Sequence, residues 1–435
     1  MSQISVSKGL NLPFKESADQ SKVIERFSQI IAIDLSPFTR LHLRLNKNVG
    51  DWIEKGEVIA KDLDFEDRVF LSHVSGSIIE VIRGERRKIL SIIVKKGETK
   101  EKILPKVDMA LGKEAMMKEI FRRGASFFIR KRPLERVIDA NDFPCAIFIN
   151  TVTSAPYLPP FSHILKGNEE IFAAAIAVLE KFGKIDLFYN DPVFSKQKGC
   201  CCHEMIGPHP IESPSLHISA LLPRVFVTDV IWVLDVYDLL SIGSIMSKGS
   251  VFDKKIVALA GNGFERSERV LIRTDLGARV EEIAPKAPYI IAGTPLTGKL
   301  HEKYLRSRDY CLTSFTPNEG IEFLPFLKPS FTKFSATKTT LGGFFKNAGP
   351  ANLQYDLGGE PRPFILKDVY QKHFPFPIYI EPLIKALLAK DYPLAISLGF
   401  LEIEKEDLSL AEYICPSKIS LMAIFEGAKR DYLEK

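Results

Sequence analysis

VGDWIEKGEVIA at residues 49–60 and HVSGSIIEVI at residues 73–82 decide how the N-terminal part of this chain is read. Both are short apolar stretches interrupted by glycine-bearing turns. Working outward from them, residues 41–97 contain further short candidate strands: LHLRLN, Val69 to His73, and Lys88 to Lys95. Turn signals separate nearly every pair, at Gly50, Lys55 and Gly56, Ser75 and Gly76, and Arg83 and Gly84. Strands of this length broken by turns at this spacing predict a small all-β unit, which we place at residues 41–105.

The paired halves of that unit resemble the barrel-sandwich fold of biotinyl and lipoyl carrier domains, in which each half contributes a strand and a tight turn. A carrier displays a modifiable lysine at its hairpin tip, usually beside methionine. The matching stretch here, DLDFEDRVF at residues 62–70, has no such motif. The unit therefore reads as a scaffold, and a carrier function would require a lipoyl or biotinyl adduct.

Downstream the texture changes. Residues 106–250 alternate strand and helix: PCAIFI at residues 144–149 is a continuously apolar run, as a buried parallel strand requires. Asn168 offers a helix N-cap, Glu169 and Glu170 complement the helix dipole, IFAAAIAVLEKF continues the helix, and Gly183 stops it before the next strand. Such a βαβ unit predicts a Rossmann-like layer. Residues 251–330 read as mixed strands with one short helix, expected as a β-grasp (SLBB-like) domain. Its opening stretch imitates a dinucleotide fingerprint with Gly261 and Gly263, but Arg266 stands at the third glycine position and ERVLIRT is β-like, so a hairpin is predicted. Residues 331–435 form an aromatic-rich linker and a C-terminal helical domain, with helices near 382–390 and 404–414. With residues 1–40 as an N-terminal segment, the fold class is α+β or α/β and multidomain.

Bulk properties agree. A chain of 435 residues exceeds one compact core, and about 150 residues per domain suggests roughly three units. A net charge of +5 with no basic stripe excludes nucleic acid as a partner. One basic concentration, Arg122, Arg123, Arg130, Lys131, Arg132 and Arg136, is either a solvated face or a contact for a phosphate or acidic partner. The six cysteines read as reduced thiols. Cys200, Cys201, Cys202 and His203 cluster, but three consecutive cysteines point in different directions and cannot share one tetrahedral ion, so a polar loop and no metal are predicted. No apolar stretch is long enough to span a bilayer: residues 221–240 carry Arg224, Asp229, Asp235 and Asp238. The opening residues lack a signal-peptide layout, and a cytoplasmic location is expected.

Several segments then carry a resemblance, in order along nearly the whole chain. They are Lys8-Gly9-Leu10-Asn11-Leu12-Pro13, VGDWIEKGEVIAKD, SGSIIEVIRGERRKI, RPLERVIDA at 132–140, Ile206-Gly207-Pro208-His209-Pro210, GTPLTGKLHEKYL at 293–305 and LGFLEIEKEDLSLAEYICPSK at 398–418. Together they resemble the A-subunit family of the bacterial Na+-translocating NADH:quinone oxidoreductase. More distantly, the architecture resembles the C subunit of the Rnf electron-transport complex and the flavin-bearing subunit of complex I. Those relatives hold a flavin on a glycine-rich loop and iron–sulfur centres on cysteine clusters. At the loop position this chain reads RRGASFFIRKRPLE, with Gly124 alone and bulky Phe127 and Phe128, and near the C-terminus only Cys415 remains.

The resemblance therefore implies a peripheral subunit on the cytoplasmic side of the bacterial inner membrane, binding no cofactor of its own. It would associate with ubiquinone, the substrate of the complex, and with the membrane-embedded subunits, especially the quinone-linked B subunit. NADH, flavins and iron–sulfur centres would belong to partner subunits. The alternative is a free-standing flavin- or nicotinamide-dependent oxidoreductase, which a stoichiometric flavin band would reveal. A quinone site needs an apolar slot and a few donors for the carbonyl oxygens. Two places offer them: Pro208 and His209 with nearby His217, and the turn from Gly293 through Thr294 and Thr297 to Gly298, with His301 and Tyr304. Phe331, Phe334, Phe344 and Phe345 are candidate walls.

Overall fold

The computed structural model describes residues 2–222, 224–316, 334, 336, 360–364 and 368–434. Phe331, Phe344 and Phe345 lie outside the described residues, and Phe334 is half-buried. Among the described residues no helix is long and apolar enough to cross a membrane.

The apolar run at residues 144–149 becomes the strand Ala146–Thr151, the middle of a seven-stranded sheet. Ile185–Tyr189, Cys200–Ile206 and Ser2–Ser5 follow in parallel on one side, and Ile231–Asp235 lies parallel on the other. Arg130–Arg132 and Arg136–Val137 extend that second side antiparallel. Successive strand residues point to opposite faces. Ile147, Ile149 and Leu187 enter a core with helices Lys113–Arg122, Glu169–Leu179 and Val236–Gly243, whereas Phe148 and Phe188 enter another with the C-terminal helices. Both faces are covered, which is why residues 146–149 are apolar without interruption.

The helix Glu169–Leu179 starts where the sequence signals it, with both glutamates in its first turn. Asn168 does not cap it through its side chain; its Nδ2 donates instead to the Ile164 carbonyl at 2.9 Å. Phe172, Ala175, Ile176 and Leu179 form the buried stripe, each large side chain contributing about 1.5–3 kcal/mol.

The N-terminal β unit consists of two small antiparallel sheets: Ile30–Asp34, Ile89–Lys96, Gly76–Arg83 and Trp52–Ile53 in one, Leu43–Leu45, Val58–Asp62 and Val69–Leu71 in the other. Ile31, Ile53, Ile59, Ile78 and Ile92 fill its core. The stretch matching a carrier's tip is tied down. Arg68 is buried, donates to Asp62 at 2.7 Å, and reaches across to Asp139 at 2.8 Å and the Ile138 carbonyl at 2.9 Å.

A six-stranded sheet completes the β structure, in the order Lys299–Leu300, Ile290–Ala292, Cys311–Ser314, Lys254–Ala260, Val270–Asp275 and Asp19–Glu25. Lys254–Ala260 and Val270–Asp275 form the expected antiparallel hairpin. Residues 1–40 are not held apart from the rest. They supply Ser2–Ser5, Asp19–Glu25 and Ile30–Asp34 to three different sheets.

Four residues of the basic concentration, Arg123, Arg130, Lys131 and Arg132, are buried or half-buried, while Arg122 and Arg136 are exposed. Arg130 is bound to Glu135 and Asp238, Lys131 to Asp142, Arg123 to Glu119 at 2.6 Å and Arg122 to Asp67 at 3.2 Å. Arg132 donates to Ser215 at 3.0 Å and to the Glu402 carbonyl at 3.1 Å, tying the sheet edge to the C-terminal part of the chain. That part contains the helices Ile380–Leu388, Tyr392–Ser397, Ser409–Tyr413 and Leu421–Leu433.

Candidate functional site

Two of the quoted motifs, far apart in sequence, are one structure. The parallel pairing of Ser2–Ser5 with Cys200–Ile206 continues as Val6 N–H donates to the Ile206 carbonyl at 2.8 Å and Leu10 N–H to the His209 carbonyl at 2.9 Å. His209 N–H returns the contact to Asn11 Oδ1 at 2.8 Å. Gly9, at φ +138°, makes the approach possible, because a Cβ there would stand 2.3 Å from the His209 carbonyl oxygen.

His209 itself is 4% exposed. Its Nδ1 lies 2.9 Å from Glu212 Oε1 without hydrogen-bond alignment, and its Nε2 has no partner among the described residues. His217, on the helix Pro214–Leu221, is different. Its Nε2 donates to the Ile211 carbonyl at 2.8 Å, and its ring lies flat on Phe188 at 4.3 Å and 2°. Burial lowers its pKa to about 3, so the ring is neutral and serves as core. Ile211, packed in the same cluster as Phe188 with Leu10 beside it, gives the His209 loop an apolar flank.

The second candidate lies in another sheet. Thr294 Oγ1 pairs with Thr297 Oγ1 at 2.9 Å and accepts the amides of Leu296 at 3.3 Å and Thr297 at 3.2 Å. Gly298 N–H donates to the Thr294 carbonyl at 2.8 Å and Gly293 N–H to the Cys311 carbonyl at 2.8 Å. The Gly293 carbonyl accepts from Thr313 Oγ1 at 2.9 Å. The turn thus satisfies its own donors. His301 is exposed in left-handed backbone at φ +61°, and Tyr304, half-buried, forms a bridge with Arg279. The structure brings Pro208, His209 and His217 to one sheet and the residues 293–304 to the other.

Cys200, Cys201 and Cys202 lie on a strand, where a loop was expected, because both neighbouring strands pair with it. Cys201 is exposed and Cys202 buried, and burial raises the Cys200 thiol to about 12. His203 is held by Asp186 at 2.7 Å and Ser2 at 2.6 Å.

Residues 4–97 match a family model described as the NqrA N-terminal barrel-sandwich hybrid domain, and residues 111–251 one described as the NqrA second alpha/beta domain. The A subunit of the Na(+)-translocating NADH-quinone reductase of Chlamydia pneumoniae is 31% identical over all of this chain and 98% of its own length. Its counterpart in Chlamydia caviae is 30% identical, over all of this chain and 97% of its own. The counterpart in Photorhabdus laumondii is 29% identical over 95% of this chain and 96% of its own. The chain belongs to the NqrA family, the A subunits of the Na(+)-translocating NADH-quinone reductase.

In this NqrA family member the loop at residues 122–135 is filled with packing. Phe127 is buried edge-on against Phe38 and Phe70, both at 4.8 Å, so the loop joins the barrel-sandwich unit to the sheet. One group of buried charges was missed by sequence reasoning. Asp235 and Asp238 form a capping box, Tyr310 donates to Asp235 at 2.6 Å, and Arg130 stands 3.3 Å from Asp238. Burial, with Asp235 beside it, raises Asp238 to about 8. The available signal was an aspartate closing an apolar strand with a second three residues on.

Proposed function

We propose that this chain acts as the peripheral NqrA component of a Na+-translocating NADH:quinone reductase on the cytoplasmic side of the bacterial inner membrane. Its share is quinone association and structural coupling, while NADH oxidation, electron relay and Na+ transport belong to other subunits. The membrane-embedded, quinone-linked B subunit is its principal neighbour. Flavins and iron–sulfur centres reside in the partners. In this reading residues 41–105 are the barrel-sandwich domain, 106–250 a Rossmann-like domain, 251–330 a β-grasp domain and 331–435 a linker and helical domain, with 1–40 threading the first three.

The observation that carries the quinone part is the His209 imidazole. A quinone carbonyl accepts a hydrogen bond, and His209 Nε2 is a ring nitrogen without a partner among the described residues, in a loop whose Ile211 joins an apolar cluster against which Leu10 packs. His217 and the 293–298 turn fit less well, since their polar atoms are already engaged. Co-purification tests the reading. The chain is expected to copurify with the membrane subunits, to leave them under mild chaotrope, and to carry no stoichiometric flavin band. Recovery only as an independent monomer, with the membrane complex intact in its absence, contradicts it.

A further inference from the structure

A cleft of about 230 Å³ lies where the helical layer of the seven-stranded sheet meets the hairpin of the six-stranded sheet, with His163, Lys166, Tyr237, Phe252 and Arg273 among its lining residues. No carboxylate lines it among the described residues. Its walls are aromatic and aliphatic: the Tyr237 and Phe252 rings are 6.3 Å apart at 47°, with Ile164 and Ile256 beside them. The Tyr237 hydroxyl accepts from Ile256 N–H at 2.6 Å and the ring stacks on Tyr310 at 5.6 Å and 23°, so what remains for a ligand is the part of the ring turned to the cleft.

The cations divide into two groups. Lys255 is buried over the Tyr237 and Tyr310 rings and donates to the Arg306 and Ser307 carbonyls, and Lys254 is paired with Asp275 at 2.6 Å. Those two are held within the fold. His163 and Lys166 have no side-chain hydrogen bond or ion pair among the described residues, and Arg273 reaches only Glu25, at 4.0 Å. Two unpaired donors and one loosely paired one are thus left around an apolar floor.

Topology places the cleft where ligands collect. Ile231–Asp235 and Ile185–Tyr189 flank Ala146–Thr151 on opposite sides, so strand order reverses there, and Tyr237 follows the carboxyl end of Ile231–Asp235. Open α/β sheets bind ligands in the crevice at such a reversal, and junctions between packed units are favoured positions for pockets. A cavity below the roughly 300–1,000 Å³ of drug-sized sites suits one ring and one acidic group.

We propose that this cleft binds a small aromatic anion, a single flat ring bearing a carboxylate or phosphate. The ring rests against Tyr237 and Phe252, and Lys166 and Arg273 hold the acid group with His163. None of these residues belongs to the quinone candidates, so the site stands independently of them.

Titration calorimetry of the full-length chain tests it, with phenyl phosphate as probe and phenol and inorganic phosphate as controls. Phenyl phosphate is expected to bind saturably with a Kd of about 1 mM or tighter, and both controls about tenfold more weakly. Lys166→Gln and Arg273→Gln, at exposed positions, each weaken it about tenfold with Tm unchanged, whereas Lys198→Gln, exposed elsewhere, does not. No saturable binding, binding undiminished in both variants, or inorganic phosphate bound as tightly as phenyl phosphate would overturn the proposal.

Discussion

The loop at residues 206–217 and the turn at residues 293–298 look alike as sequence: each offers proline, small residues and polar groups beside an apolar strand. In the structure they diverge. The turn closes on itself, Thr294 serving both as hydroxyl partner of Thr297 and as acceptor for two amides. The loop is shaped from outside, by Gly9, Leu10 and Asn11 from the chain's beginning, and leaves the His209 Nε2 without a partner among the described residues. A donor-rich motif is therefore not yet a donor-rich site; what matters is which polar atoms remain after the fold has satisfied its own.

Acidification attacks the first region hardest. His217, in this region, is held near 3 by burial, and His73, in the N-terminal β unit, near 4, so the folded state favours neutral rings while the unfolded chain takes up protons below about pH 6.5. Stability present above pH 6.5 is lost as pH falls toward 4, at up to ~1.4 kcal/mol per pH unit for each ring. Urea unfolding across this range measures the slope. His217→Phe should flatten it, and an unchanged slope would show that the ring is not held neutral.

Gly298→Ala attacks the second region. A Cβ there would stand 2.4 Å from Ile291 Cγ2 and 2.6 Å from the Thr294 carbonyl oxygen, so we expect a loss of about 2 kcal/mol in denaturant unfolding. Quinone labelling should persist. Smallest is Thr297→Val, which removes one hydroxyl pair and should cost about 1 kcal/mol, again without effect on quinone. If either substitution abolished quinone labelling in a folded protein, the contrast between the two regions would fail.

Much of this was legible locally. Short strands and turn spacing at residues 41–97 announced the β unit, the apolar run at 144–149 the central strand, and the failed glycine fingerprint at 261–266 the hairpin. What could not be read was long-range pairing. Nothing in SQIS at residues 2–5 names Cys200–Ile206 as its partner, and that pairing turns the cysteine stretch from an expected loop into a strand. The arginines around residue 130 were open to two external readings. Their carboxylate partners, Asp238 and Glu119 among them, come together only after folding. For the site, the motif positions were visible, but not which of their nitrogens and hydroxyls would remain unengaged.

The most direct measurement is labelling of the assembled complex with a photoreactive ubiquinone, followed by peptide mapping of this chain. The account predicts label on the peptide containing Pro208 and His209, competed by unmodified ubiquinone and lost in His209→Ala while Gly298→Ala retains it. Label confined to the peptide spanning residues 293–304, or label on the His209 peptide that survives His209→Ala undiminished, would contradict it.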